Sequence, residues 1–120
     1  MDEHSMRYLL FFIIFSNLQA QQFDYHQQSR VGKNSFLFPY LGQSLYQIGR
    51  QHGLGSLEIQ QANTHITDPF LLYPWQKITL PKRFTLPDKI HNQERIIIID
   101  TQQYRVFARF DKQILTFPVG

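Results

Sequence analysis

The chain of 120 residues contains no cysteine. That excludes disulfides, thiolate metal ligands and a cysteine nucleophile. Charged residues are scarce at 18%, and the formal charge of +3 comes from basic residues that are scattered along the chain. Such a distribution describes an ordinary solvated surface, not the basic stripe of a nucleic-acid binder. A weakly basic protein is still attracted to an anionic polymer. No apolar run approaches the roughly 20 residues that a membrane-spanning helix needs. His26 stands alone, with no second ligand at metal spacing, so neither a metal nor a cofactor is expected. The length leaves room for one small domain with extras.

What is present is an ordered series of local signals. Residues 8–15 read Tyr-Leu-Leu-Phe-Phe-Ile-Ile-Phe and are followed by a polar stretch ending in Ala20. This is the order of a secretory signal peptide over residues 1–20, cleaved after Ala20. Asp2 and Glu3 precede the run where a basic region is expected, whereas a start at Met6 would place Arg7 directly before it. After cleavage no stable membrane span is expected, and the protein is expected outside the cytoplasm, in the periplasm or cell wall. Residues 21–34 are polar and Gln-rich, without periodicity, and predict a flexible lead-in.

Residues 35–81 change character. A short apolar strand around Phe36 runs into a turn at Gly42. Ser44 and Gln47 have the spacing of a capping box, followed by a short helix with Leu45, Ile48 and His52 on one side. His52 is placed at the helix end, where a cation suits the helix dipole. Ser56 is the expected cap of a second short helix over residues 57–63. Pro69 and Pro74 bound a loop, and residues 76–80 alternate as a strand that Pro81 ends. Residues 82–94 contain Pro87 and mixed polarity and predict a linker.

From Arg95 the periodicity shifts. Four consecutive isoleucines, Ile96 to Ile99, suit a strand buried on both faces. Tyr104, Val106, Ala108 and Phe110 recur every second residue. Turn signals at residues 101–103 and 111–112 make residues 95–120 a three-stranded meander.

The order strand, helix, helix, strand resembles the lysin motif, LysM. The matching residues are Gly42-Gln43-Ser44-Leu45, Ile48, Ala62-Asn63, Ile66-Thr67-Asp68-Pro69, Tyr73-Pro74-Trp75-Gln76 and Ile78-Thr79-Leu80-Pro81. Gln43 stands where the family has Asp or Asn, Trp75 where it has glycine, and Gln60 where it has an apolar residue. The resemblance implies an α+β fold, a βααβ module, and binding of N-acetylglucosamine (GlcNAc) glycans such as peptidoglycan strands. In the family the glycan lies across two loops. By that resemblance Gly42 gives close backbone approach, with Gln43, Ser44 and Leu45 beside it. Asn63, Thr67 and Asp68 would hydrogen-bond acetamido and hydroxyl groups, and Leu45 or Ile66 would pack on a sugar face. Trp75, beside Pro74, could stack on a sugar ring, but since the family's glycan loops lie elsewhere it is expected to pack on the module or to be partly exposed.

Residues 95–120 look like the opening of an L,D-transpeptidase catalytic domain, and the order of signal peptide, LysM, linker and β-domain fits that family. The reaction is acyl transfer between peptidoglycan stems and needs a cysteine thiolate and a histidine. No position here matches the family's cysteine motif, so no catalytic residue is carried over and the chain as given is not expected to be an enzyme. Ser29, Ser35 and the five histidines form no recognisable catalytic motif either. Glu58 and Asp68 are the one conceivable carboxylate pair. Three expectations compete. The first is an exported glycan-binding module with an incomplete β-domain, and the second a transpeptidase read from a longer frame. The third is a non-functional truncated product. The first also implies a meander without a cover, exchanging its amides quickly or aggregating, beside a LysM-like segment that closes its own core.

Overall fold

The computed structural model describes residues 20–119. The signal peptide and the choice between Met1 and Met6 lie outside the described residues, Ala20 excepted. The described chain is α+β: eight strands, two short α-helices and one 3-10 turn.

Two strand pairs and two helices make up the middle of the chain. β3 (Ser35–Leu37) pairs antiparallel with β4 (Ile78–Leu80), Leu37 opposite Ile78. Between them lie α1 (Leu45–Gln51) and α2 (Ser56–Gln61). Ser44 caps α1 as its spacing predicts. Its Oγ accepts from the Gln47 N–H at 3.0 Å, and Gln47 Oε1 accepts from the Ser44 N–H at 2.9 Å. α2 departs by one residue. Gly55, not Ser56, is its cap, because Glu58 reaches back to the Gly55 N–H at 2.9 Å and satisfies that donor. The helices pack closely at Gly49, where a Cβ would lie 3.2 Å from Ile59.

The segment expected to be a flexible lead-in carries two strands. β1 (Gln21–Asp24) and β2 (Arg30–Gly32) both find partners far along the chain. β2 pairs with β5 (Arg83–Thr85), which lies in the segment expected to be a linker, as does the 3-10 turn Asp88–His91. Gly32 has φ +84°, and a Cβ there would lie 2.0 Å from the Lys82 carbonyl oxygen, so only glycine lets this ribbon close. Polar composition without periodicity hides such short ribbons, because their pairing is non-local.

β6 (Arg95–Asp100), β7 (Arg105–Phe110) and β8 (Gln113–Pro118) form the predicted meander. β1 joins it to give a four-stranded antiparallel sheet ordered β1-β8-β7-β6, with Gln21 opposite Thr116. One face is covered, contrary to the expectation of an uncovered meander. Phe107 and Ile114 share a single buried cluster with Leu45, Ile48, Ile59, Ile78 and Phe84. The LysM-like segment therefore does not close its core alone.

The expected burial of the isoleucine run on both faces is also corrected. β6 is an edge strand whose residues alternate. Ile96 and Ile98 pack against the core, while Ile97 and Ile99 are 62% and 66% exposed. On β7 Arg105 and Phe107 are buried on the face toward the core and Ala108 on the other, while Val106, Arg109 and Phe110 are half-buried and Tyr104 is exposed. Tyr104 has φ +53° and belongs to the preceding turn, which sets the parity of the strand after it.

Candidate functional site

The two loops implied by the LysM resemblance lie side by side. The Gly42 N–H donates to the Leu72 carbonyl at 3.0 Å, and the Leu72 N–H donates to the Gln43 carbonyl at 2.9 Å. The Leu45 N–H donates to the Pro69 carbonyl at 2.7 Å, closing the second contact between the loops. Gly42 has φ +84° and is exposed, so the turn needs glycine and leaves its backbone open to solvent.

The named residues divide into two groups. Leu45 is buried in the core. Asn63 is buried as well, and its amide is fully engaged. Nδ2 donates to the Ile59 carbonyl at 2.7 Å and to the Thr79 carbonyl at 2.9 Å, and Oδ1 accepts from the Thr79 N–H at 2.7 Å. Asn63 thus bolts the end of α2 to β4, a task for which one donor–acceptor amide suffices. Ser44 is committed to its capping box, and Gln43 Oε1 accepts from the Tyr40 N–H at 3.0 Å. Ile66 is half-buried against the core. Gly42, Thr67 and Asp68 remain on the surface, Asp68 accepting from the Phe70 N–H at 3.0 Å.

Sequence reasoning undervalued the aromatic side chains around these loops. Phe70 is exposed and lies 5.4 Å from Tyr46, centroid to centroid. Phe36 and Phe38 meet edge to face at 6.0 Å, with the Lys77 ammonium 4.2 Å over the Phe36 ring. Trp75 is 73% exposed and stacks on Tyr73, with centroids 4.8 Å apart and planes 16° apart. The departure from glycine at position 75 was the available signal.

Glu58 and Asp68 make no carboxylate pair. Glu58 is held by Arg105 of β7, Nη1 to Oε1 at 2.6 Å. Burial pushes the Glu58 carboxyl above its ordinary 4.5, against the opposing pull of Arg105 and the Gly55 N–H. Arg105 is itself buried. It donates to Thr116 Oγ1 at 3.0 Å and to the Gly53 carbonyl at 3.3 Å, with its guanidinium 4.0 Å over the Phe84 ring. Burial holds its pKa below the usual value. This charge joins the sheet to the turn between α1 and α2.

The expectation that His52 sits as a cation at the end of α1 is corrected. Its Nδ1 accepts from Lys82 Nζ at 2.8 Å, which requires a neutral ring. Burial first, and then Lys82, hold its pKa below 6.5. Among the described residues no group of three His, Cys, Asp or Glu could hold a metal ion, and no helix is long and apolar enough to cross a membrane.

No curated protein matches the chain significantly. Residues 41–81, the stretch that carries both loops, match the family model of the LysM domain. LysM domains generally bind peptidoglycan and related GlcNAc glycans.

Proposed function

We propose that this protein binds the GlcNAc glycan strands of peptidoglycan through the paired loops at residues 42–45 and 63–70. The match to the LysM domain over residues 41–81 is the observation that carries this reading. The open Gly42 backbone and the exposed Thr67 and Asp68 supply approach and hydrogen-bonding capacity at the loop surface. Leu45, Asn63 and Ser44 shape the loops from beneath. Binding by one small module is weak, because the contact area is modest and association costs translational freedom.

The same reading places the protein outside the cytoplasm, delivered by the signal peptide of residues 1–20, as the N-terminal part of an L,D-transpeptidase. Support comes from the order of parts in the sequence and from the antiparallel strands that follow the module. Within this chain the work is binding rather than acyl transfer, since no cysteine is present to attack the donor amide. The codons that follow Gly120 test this context: a Ser-His-Gly-Cys-type motif in frame would support it.

Co-sedimentation with purified peptidoglycan tests the binding. The protein is expected in the pellet at low salt and in part at physiological salt. A protein that stays in the supernatant at low salt contradicts the proposal.

A further inference from the structure

The ribbon that carries the loops has a second surface. β3 and β4 pair with Leu37 opposite Ile78, and beyond two turns, at residues 40–43 and 73–76, the Leu72 N–H donates to the Gln43 carbonyl. Side chains of alternate residues share a face of such a ribbon. Leu37, Ile78 and Leu80 turn to the core, while Phe36 on the strand and Phe38, Tyr40, Tyr73, Trp75 and Lys77 beyond the strand ends are exposed.

Within this face the Tyr73–Trp75 stack is distinctive. Tyr73 is 39% exposed and Trp75 73%, so Trp75 is the more exposed ring of the pair. Tyr73 backs it at 4.8 Å, the two rings nearly parallel. The Tyr73 N–H is fixed by Gln76 Oε1 at 2.8 Å, which anchors the turn between the two rings. A rigid, flat, uncharged face of this kind suits the apolar C–H face of a pyranose ring, whose hydroxyl rim stays in water. A lipid surface would instead be met by ring edges with cations around them, and the one cation here is drawn onto Phe36. The platform is also continuous with the loops, because Leu72, next to Tyr73, is the residue bonded to Gly42 and Gln43.

We infer that Trp75, stacked on Tyr73, is a second sugar contact outside the loop pair, so that the protein prefers extended GlcNAc oligomers to the disaccharide. The inference rests on the glycan-binding reading above and adds a length requirement to it. Gly42, Thr67 and Asp68 hold one part of the strand, and the indole takes a ring further along.

The test uses the full chain, titrated with the GlcNAc dimer and hexamer by calorimetry and by emission of its single tryptophan. The wild type should bind the hexamer about tenfold more tightly than the dimer, with a blue shift of emission on hexamer only. Trp75→Ala should remove that tenfold gain and leave dimer affinity about unchanged, while Trp75→Phe keeps most of it. Thermal unfolding of both variants checks that an exposed residue was replaced without loss of fold. A Trp75→Ala protein that binds hexamer like the wild type, or an emission unmoved by hexamer, overturns the inference and leaves the loop site standing. A wild-type protein that binds neither oligomer nor peptidoglycan refutes the glycan reading itself, and this inference with it.

Discussion

The LysM-matching segment and the four-stranded sheet are stabilised by different kinds of polar contact. In the segment, polar side chains act over short spans. Ser44 and Gln47 cap each other three residues apart, and Asn63 bonds Ile59 four residues back and Thr79 sixteen residues on. In the sheet the principal polar side chain reaches across the molecule. Arg105 bonds Gly53 and Glu58, 52 and 47 residues away. The segment holds its loops by itself, yet its core is completed by Phe107 and Ile114 of the sheet. One region carries the proposed ligand surface, and the other gives it a base.

The largest effect that separates the two should come from Arg105→Met. It leaves the half-buried Glu58 carboxylate and the Gly53 carbonyl without their partner. Loss of one member of a buried pair costs about 3–5 kcal/mol. Denaturant unfolding should show that loss. If the sheet and the segment were independent, the variant would unfold in two steps with the segment unchanged. Asn63→Ala should cost less, about 2–3 kcal/mol, because it strands the Thr79 N–H and carbonyl in a largely buried place. That loss acts inside the segment, so it should weaken the proposed glycan binding by loosening the second loop, although the Asn63 amide is itself engaged with Ile59 and Thr79.

A smaller effect concerns the contact between His52 and Lys82. The folded-state pKa of His52 lies below 6.5, so on acidification the unfolded chain takes up the proton first. The contribution of this site is therefore fully present above pH 6.5 and declines as the pH falls below it. An NMR titration of the histidine rings should show the depressed value. Lys82→Met should raise it only part of the way, because burial is the larger cause.

The contrast between local and distant contacts also explains what the sequence could show. The cap at Ser44, the strand at Ile78–Leu80 and the turn at Asp111 are written in residues a few positions apart. β1 was not legible, since Gln21 pairs with Thr116 and nothing near Gln21 announces it. The burial of Arg105 was not legible, because an arginine at the start of a strand reads as exposed until Glu58 and Gly53 are known to face it. In the candidate site the loops and Gly42 were legible from the motif. The burial of Leu45 and Asn63 was not, since it depends on which side of each loop the core lies. Trp75 stood out as a departure from the family pattern beside Pro74, but its stacking on Tyr73 was not legible.

The most direct test of the account is an amide NMR titration of the full chain with GlcNAc hexamer, following every assigned residue. Shifts are expected at Gly42, Thr67, Asp68 and the Trp75 indole N–H, with Phe107 and Ile114 in the sheet unmoved. Shifts gathered on the sheet instead, or none at saturating hexamer, would contradict the assignment of ligand binding to the LysM-matching segment.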